Sequence, residues 1–216
     1  NYCDQGFNDF VFCLGHKSNT IIDYFLKENK NKIKILIKEK KFIKFKFKNK
    51  KLKFIGNLIF TGLNSGTGGR IKIAYNKLKL HEDIMMTYGD GLSNININKL
   101  IKFHRKSKKK ITLTAVHPPA RFGELTIIKN TVSKFKEKPQ LQKGWINGGF
   151  FVVEPEFLKF IGNKNVMLER SPLLQAVKTK NLSAFKHTGF WYCMDTVRDK
   201  EVLDKMIKDK KSPWIK

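Results

Sequence analysis

Ile84-Met85-Met86-Thr87-Tyr88-Gly89-Asp90-Gly91 is the stretch on which the fold turns. An apolar run of strand type ends in a carboxylate held between two glycines. In open α/β sheets, ligands gather beyond the carboxyl ends of the strands. Gly89 and Gly91 permit a sharp turn and a close ligand approach, and Asp90 offers the hard oxygen that Mg²⁺ prefers. Asp-Gly is also a strong hairpin-turn dipeptide. The stretch alone therefore leaves a ligand site and a plain turn both open, with Asp90 ending a central strand in the first case.

Upstream, residues 10–14 read as a buried strand closed by Gly15, with Ser18 or Asn19 capping a helix that carries Ile21, Ile22, Phe25 and Leu26 on one face. Such a strand–helix step belongs to a wound α/β sheet. In residues 30–53, Phe45-Lys46-Phe47-Lys48 alternates with period two, and Ile33, Ile35 and Ile37 alternate with their neighbours in the same way. That pattern is a hairpin or pair of edge strands with lysine outward; an anion-binding ribbon is the functional alternative. A strand at 57–61 leads into Gly62-Leu63-Asn64-Ser65-Gly66-Thr67-Gly68-Gly69-Arg70, with a helix expected from about Arg70. Amides in such a loop can cradle an anion or a polar base, although the ending of a Walker loop is absent. A merely flexible loop is the competing reading.

Downstream, residues 98–108 read as a helix with Leu100, Ile101 and Phe103 inward. Strands are expected at 111–116, 132–136, 148–153 and 182–187, and a helix at 172–177 behind Ser171. Phe190-Trp191-Tyr192-Cys193-Met194-Asp195-Thr196 ends in a second carboxylate, and Thr196 with Asp199 forms a capping-box-like start to the last helix. Strands alternate with helices, and no repeat or long linker interrupts them. One α/β domain over residues 1–216 is the expectation.

The chain has 216 residues and a formal net charge of +26, from 44 Lys and Arg against 18 Asp and Glu. Nucleic acid is one partner for such a charge, but no zinc-finger spacing or RNA-binding aromatic signature accompanies it. A genome rich in A/T codons explains the Lys, Ile, Asn and Phe equally well. No nucleic-acid partner is expected, and no membrane partner either, since no apolar run has the length of a span. Cys3, Cys13 and Cys193 are odd in number and contain no Cys-x-x-Cys pair. That argues against a disulfide framework or structural zinc and for a reduced, cytoplasmic setting; buried apolar filler is the expected role for Cys13. None of the five histidines is spaced from another as a metal-ligand pair.

Taken together and in order, several stretches resemble the nucleotide-sugar pyrophosphorylases, and in particular their cytidylyl branch, the glucose-1-phosphate cytidylyltransferases. They are Gly6-Phe7 through Leu14-Gly15, Ile22-Asp23-Tyr24-Phe25, Thr61-Gly62 through Gly69-Arg70, Thr87 to Gly91, Arg121-Phe122-Gly123, Glu137-Lys138-Pro139, Trp145 to Phe151, and Gly189-Phe190-Trp191 through Met194-Asp195-Thr196, with Arg198-Asp199-Lys200 and Pro213-Trp214 behind them. The resemblance spans essentially the whole chain.

It implies a Rossmann-like α/β fold: a mixed, mainly parallel sheet with helices on both faces. It implies that CTP and α-D-glucose 1-phosphate are joined to give CDP-glucose and pyrophosphate with Mg²⁺, for dideoxysugars of bacterial surface polysaccharide such as O-antigen. Asp90 and Asp195 would hold Mg²⁺, and Lys138 the sugar phosphate. Glu137 and Asn147 would bond sugar hydroxyls. Ser65 and Arg70 would contact the nucleotide, and Gly89 would pack against it. Arg121 reads equally as a clamp on its own turn. A homo-oligomer is the expected assembly. Three departures stand out. The family's opening strand, its Gly-Gly-x-Gly-Thr-Arg loop and its Pro-Lys-Pro segment are not in this sequence, so the chain reads as an N-terminally truncated enzyme, inactive as it stands; a non-catalytic, sugar-phosphate-binding remnant of the family, or a nucleotidyltransferase with another base, is the alternative. Phe60 replaces the usual Asp, and Tyr192-Cys193 replaces a polar residue and proline.

Overall fold

The computed structural model describes residues 1–119, 124–136 and 144–215. In chain order the elements are β1 (Asp9–Leu14), α1 (Ser18–Asp23), β2 (Ile33–Glu39), β3 (Phe42–Lys48), β4 (Lys53–Phe60), α2 (Thr67–Lys77), β5 (Ile84–Thr87), β6 (Gly91–Ser93), α3 (Ile97–Ser107), β7 (Ile111–Val116), β8 (Glu124–Ile128), β9 (Thr131–Lys136), β10 (Ile146–Val153), α4 (Ser171–Lys178), β11 (Leu182–His187), β12 (Trp191–Cys193) and α5 (Val197–Lys208). They form two compact units, each built from separate stretches of chain. One comprises Tyr2–Asp83 and Glu154–Leu182, the other Ile84–Val153 and Ser183–Lys216 together with Asn1.

The first unit holds a four-stranded sheet in the order β1-β4-β3-β2. The Phe-Lys alternation of β3 buries Phe45 and Phe47 and leaves Lys46 and Lys48 in solvent. On that apolar face Leu14, Phe25, Phe45, Phe47 and Leu58 form one core cluster, and on the other face Phe42 and Ile59 meet Ala74 of α2. Helices thus cover both faces, as a wound α/β layer requires. Two local expectations fail here. The side chain of Ser18 does not cap α1, which is entered through Lys17 in a left-handed conformation (φ 52°) with no side-chain cap bond. Past Asp23 the helix widens into a π turn, Tyr24–Glu28, which buries Phe25. Cys13 is exposed, not core filler, because β1 alternates and sends Cys13 to the face opposite Leu14.

The second unit holds a four-stranded sheet in the order β11-β7-β10-β5, a two-stranded ribbon of β6 and β12, and the β8–β9 hairpin. β5 stands at the end of its four-strand order, where a central place was expected. The mixed α/β class holds, but the pairing is less parallel than anticipated. β1–β4 is parallel, whereas β2–β3, β3–β4, β5–β10, β7–β10, β6–β12 and β8–β9 run antiparallel. Short links account for the pairs β2–β3, β3–β4 and β8–β9, since a parallel neighbour needs a crossover of a dozen residues or more; β5–β10, β7–β10 and β6–β12 join strands far apart in sequence. In α3 the buried positions are Ile97, Leu100 and His104, while Phe103 lies at the surface. His104 tolerates the interior because Nδ1 meets the Thr112 hydroxyl at 2.7 Å. Among the described residues no helix is long and apolar enough to cross a membrane.

Candidate active site

Asp90 and Asp195 lie far apart in sequence and close together in the second unit. β6 begins immediately after Asp90, and β12 ends at Cys193. Their antiparallel register sets Cys193 opposite Gly91 and Trp191 opposite Ser93. One step beyond the ladder, the Met194 amide donates to the Asp90 carbonyl at 2.9 Å. The two carboxylates and the Cys193 thiol then form a cluster whose ligand atoms all lie within 4.8 Å of one another, with both aspartates exposed. The thiol points at the Asp195 Oδ1 at 3.2 Å. Burial, reinforced by a hydrogen bond to Asp195 and the charge of Asp90, pushes the Cys193 thiol up to about 12.

The start of α5 holds Asp195 in place. Thr196 and Asp199 form a reciprocal capping box. Asp199 Oδ2 accepts from the amides of Thr196 (2.9 Å) and Asp195 (3.2 Å), and Oδ1 accepts from the Tyr192 hydroxyl at 3.1 Å. The side-chain bond from Thr196 leads a set of hydrogen bonds that holds the Asp199 carboxyl below its usual range, against burial, the next largest influence, which raises it.

β10 supplies a second wall of this unit. Its register against β7 shifts between Asn147 and Phe151, where β10 advances four positions against two in β7, as extra residues in one strand produce. Asn147 Oδ1 accepts from the Gly149 amide at 3.0 Å, inside the irregular turn of chain. Gly149 has φ +77°, and a Cβ there would sit 2.8 Å from the Tyr88 ring. The Gly148 carbonyl accepts from the Trp191 indole at 2.8 Å, which ties β10 to β12. Beside Gly89, by contrast, a Cβ would meet nothing within 4 Å, so that side of the turn is open.

In the first unit, the glycine-rich stretch differs from the expected open loop. α2 starts at Thr67, so Gly68 and Gly69 are helical and buried. They pack against the 164–166 backbone: the Gly66 amide donates to the Lys164 carbonyl at 3.0 Å and Gly69 to the Val166 carbonyl at 3.2 Å. Any side chain at Gly69 would run into the Lys164 backbone. These amides are therefore committed to protein. Arg70 is a brace across three elements, donating to the Leu14 carbonyl (3.0 Å), the Thr61 hydroxyl (2.7 Å) and the Leu63 carbonyl (3.4 Å). Ser65 donates to the Thr61 carbonyl at 2.6 Å. It lines a cavity of about 570 Å³ together with Thr61, Asn64, Lys41, Lys77 and Lys164.

Of the residues singled out from sequence, Asp90, Asp195, Gly89 and Asn147 belong to the second unit, and Ser65 and Arg70 to the first. Arg121, Glu137 and Lys138 lie outside the described residues. Sequence reasoning missed Cys193 as a member of the carboxylate cluster. Its alternation within β12, two positions before Asp195, was the available signal. The cluster suits a divalent cation. Two exposed carboxylates give the hard oxygen pair that Mg²⁺ takes, while sulfur is a soft ligand that Mg²⁺ does not favour.

Residues 5–196 match the family model described as nucleotidyl transferase. The glucose-1-phosphate cytidylyltransferases of Salmonella typhimurium and Salmonella typhi are each 37% identical to this chain over 216 residues, 99% of the chain and 83% of their own length. Among solved structures, HddC from Yersinia pseudotuberculosis superposes with a TM-score of 0.62 at 20% identity, covering 94% of this chain and 80% of its own. That last likeness is one of fold.

Proposed function

We propose a reaction on one premise: this chain belongs to the nucleotidyl transferase family. The reaction is cytidylyl transfer. A phosphate oxygen of α-D-glucose 1-phosphate attacks the α-phosphorus of CTP in line. A new P–O bond forms, the bond to the β-phosphate bridging oxygen breaks, and CDP-glucose and pyrophosphate result. The product suits dideoxysugar synthesis for surface polysaccharide. The observation that carries the reading is the meeting of Asp90 and Asp195.

Each residue has a part, and those of Glu137 and Lys138, which lie outside the described residues, rest on the sequence resemblance alone. Asp90 and Asp195 would hold Mg²⁺, which when bound neutralises charge on the transferring phosphoryl group. The capping box keeps the Asp195 backbone fixed. Lys138 neutralises the sugar phosphate, Glu137 accepts from a sugar hydroxyl, and Asn147 offers its Nδ2 amide while Oδ1 stays with Gly149. The open side of Gly89 leaves room for the nucleotide. Ser65 meets the polar edge of the base. Arg70 acts as a positioning residue, keeping the loop in shape through the acceptors it already holds.

The test uses the chain preceded by the family's N-terminal phosphate-binding segment: equal CTP and UTP compete in the presence of glucose 1-phosphate, and the products are separated by chromatography. CDP-glucose in large excess is the expected product, because a site that hydrogen-bonds one base edge rejects the edge with donors and acceptors exchanged. UDP-glucose in excess would overturn the choice of base.

A further inference from the structure

The lysine-rich ribbon of the first unit takes no part in this chemistry. Twelve of the 24 residues from 30 to 53 are lysine, against one acidic residue, Glu39. The register shows where they go. Lys34 stands directly opposite Lys46 across β2–β3, and Lys48 directly opposite Lys53 across β3–β4. Like charges placed so destabilise a ladder. Lys44, Lys46 and Lys48 alternate to the same face of β3 as Phe42, the face on which Ala74 of α2 packs. α2 covers only the Phe42 end, and Lys46, Lys48 and Lys53 are exposed. Two carboxylates lie nearby. Glu39 is paired with Lys77 at 3.0 Å, and Asp9 accepts from the Asn57 amide at 2.7 Å.

β2 adds an apolar element. It ends the strand order, and six of its seven residues are exposed. Ile35, Leu36 and Ile37 are 43%, 41% and 42% exposed, between Lys34 and Lys38. The β2–β3 register shifts between Ile35 and Ile37, which sets Ile37 opposite Lys44, on the lysine face.

We propose that this face, led by β2, is a docking surface for an anionic lipid bilayer: lysines of β2, β3 and β4 meet the headgroup phosphates while Leu36 and Ile37 enter the interface. The chemistry selects this occupant. A second copy pairing edge to edge would bring the lysines of two β2 strands together, which edge lysines oppose. A nucleic acid would engage the lysines through its phosphates but would leave Leu36 and Ile37 without an apolar partner, and Phe42, Phe45 and Phe47, 8%, 0% and 6% exposed, offer no platform for unpaired bases. Aliphatic side chains among lysines are what a charged membrane surface accepts. This is surface attachment, a different matter from a membrane span.

The experiment is co-sedimentation of the whole chain with phosphatidylcholine vesicles, with and without phosphatidylglycerol. Binding only to the anionic vesicles is expected. The variant Lys34→Gln/Lys46→Gln/Lys48→Gln should lower partitioning about 100-fold, from about fivefold per lysine. A control with the same charge change outside the β2–β4 sheet, Lys205→Gln/Lys208→Gln/Lys210→Gln, should stay within about twofold of the parent, since screened charges that do not belong to the docking face contribute little. Leu36→Asn should lower partitioning several-fold at constant charge. All three variants are surface changes, and a melting temperature no lower than the parent's verifies their folds. Equal losses in the two triple variants would reduce the effect to net charge and overturn the proposal. So would an unaffected Leu36→Asn, or binding to a single-stranded oligonucleotide that outcompetes the vesicles.

Discussion

Asp199→Ala tests how the site is held together. One carboxylate gathers the Asp195 and Thr196 amides, the Thr196 hydroxyl (2.7 Å) and the Tyr192 hydroxyl. Alanine removes half of a capping box, worth about 1 kcal/mol, and the anchor of Tyr192, worth about 1 kcal/mol more. Because these bonds are at the surface, water recovers part of that sum, and a loss of about 1–2 kcal/mol is expected. In a chain of this size the melting temperature should fall by about 3–6 °C. The site should suffer as well: loosening the backbone beneath Asp195 should weaken divalent-metal binding about 10-fold, as loss of groups that orient metal ligands does. Asp199→Asn keeps an acceptor oxygen and should recover part of both losses. The pH dependence has a definite sign. The Asp199 carboxyl is held below its usual value, so its stabilisation is present above the unfolded-state value and is lost as pH falls through the lower folded one. The alanine variant should lack that acid-side loss. Scanning calorimetry between acid and neutral pH, with a Mn²⁺ titration alongside, measures both effects. A melting temperature within about 1 °C of the parent and unchanged metal affinity would refute the reasoning.

Gly149→Ala should cost about 2–4 kcal/mol in denaturant unfolding, from a left-handed backbone and the Tyr88 ring 2.8 Å from the new Cβ. His187 is held below its ordinary value chiefly by burial, against the pull of the Phe190 carbonyl. The unfolded chain therefore takes up its proton first, and stability should fall as pH drops below about 6.5. His187→Gln should flatten that slope in thermal melts. With the Cys193 thiol pushed up to about 12, its alkylation by iodoacetamide at mildly alkaline pH should run on the order of 100-fold slower than a free thiol's, after allowing for the greater nucleophilicity of a basic thiolate. Peptide mass spectrometry reads that rate directly.

Features set by near neighbours in sequence were readable before the structure. Asp90 and Asp195 each close an apolar segment, the Thr196–Asp199 spacing announced a cap, and the Phe-Lys alternation of β3 announced a strand with one wet face. Features set by distant chain were not. The glycines from Gly66 to Gly69 read as a cradle, yet they seat the 164–166 backbone, a contact with no local signature. His104 in place of Phe103 inside α3 depends on Thr112 across the core. Cys193 joined the carboxylates because the β6–β12 register put it there, and register depends on two strands at once. The parallel share of the sheets was overestimated because strand–helix alternation said nothing about β10, which runs antiparallel to both β5 and β7.

The central claim, that Asp90 and Asp195 together bind one divalent cation, is tested most directly by electron paramagnetic resonance of Mn²⁺ titrated into the protein. The account predicts one site in the parent, displaced by Mg²⁺, and its loss in Asp90→Asn and in Asp195→Asn alike, with both variants folded. Undiminished Mn²⁺ binding in either variant would contradict it.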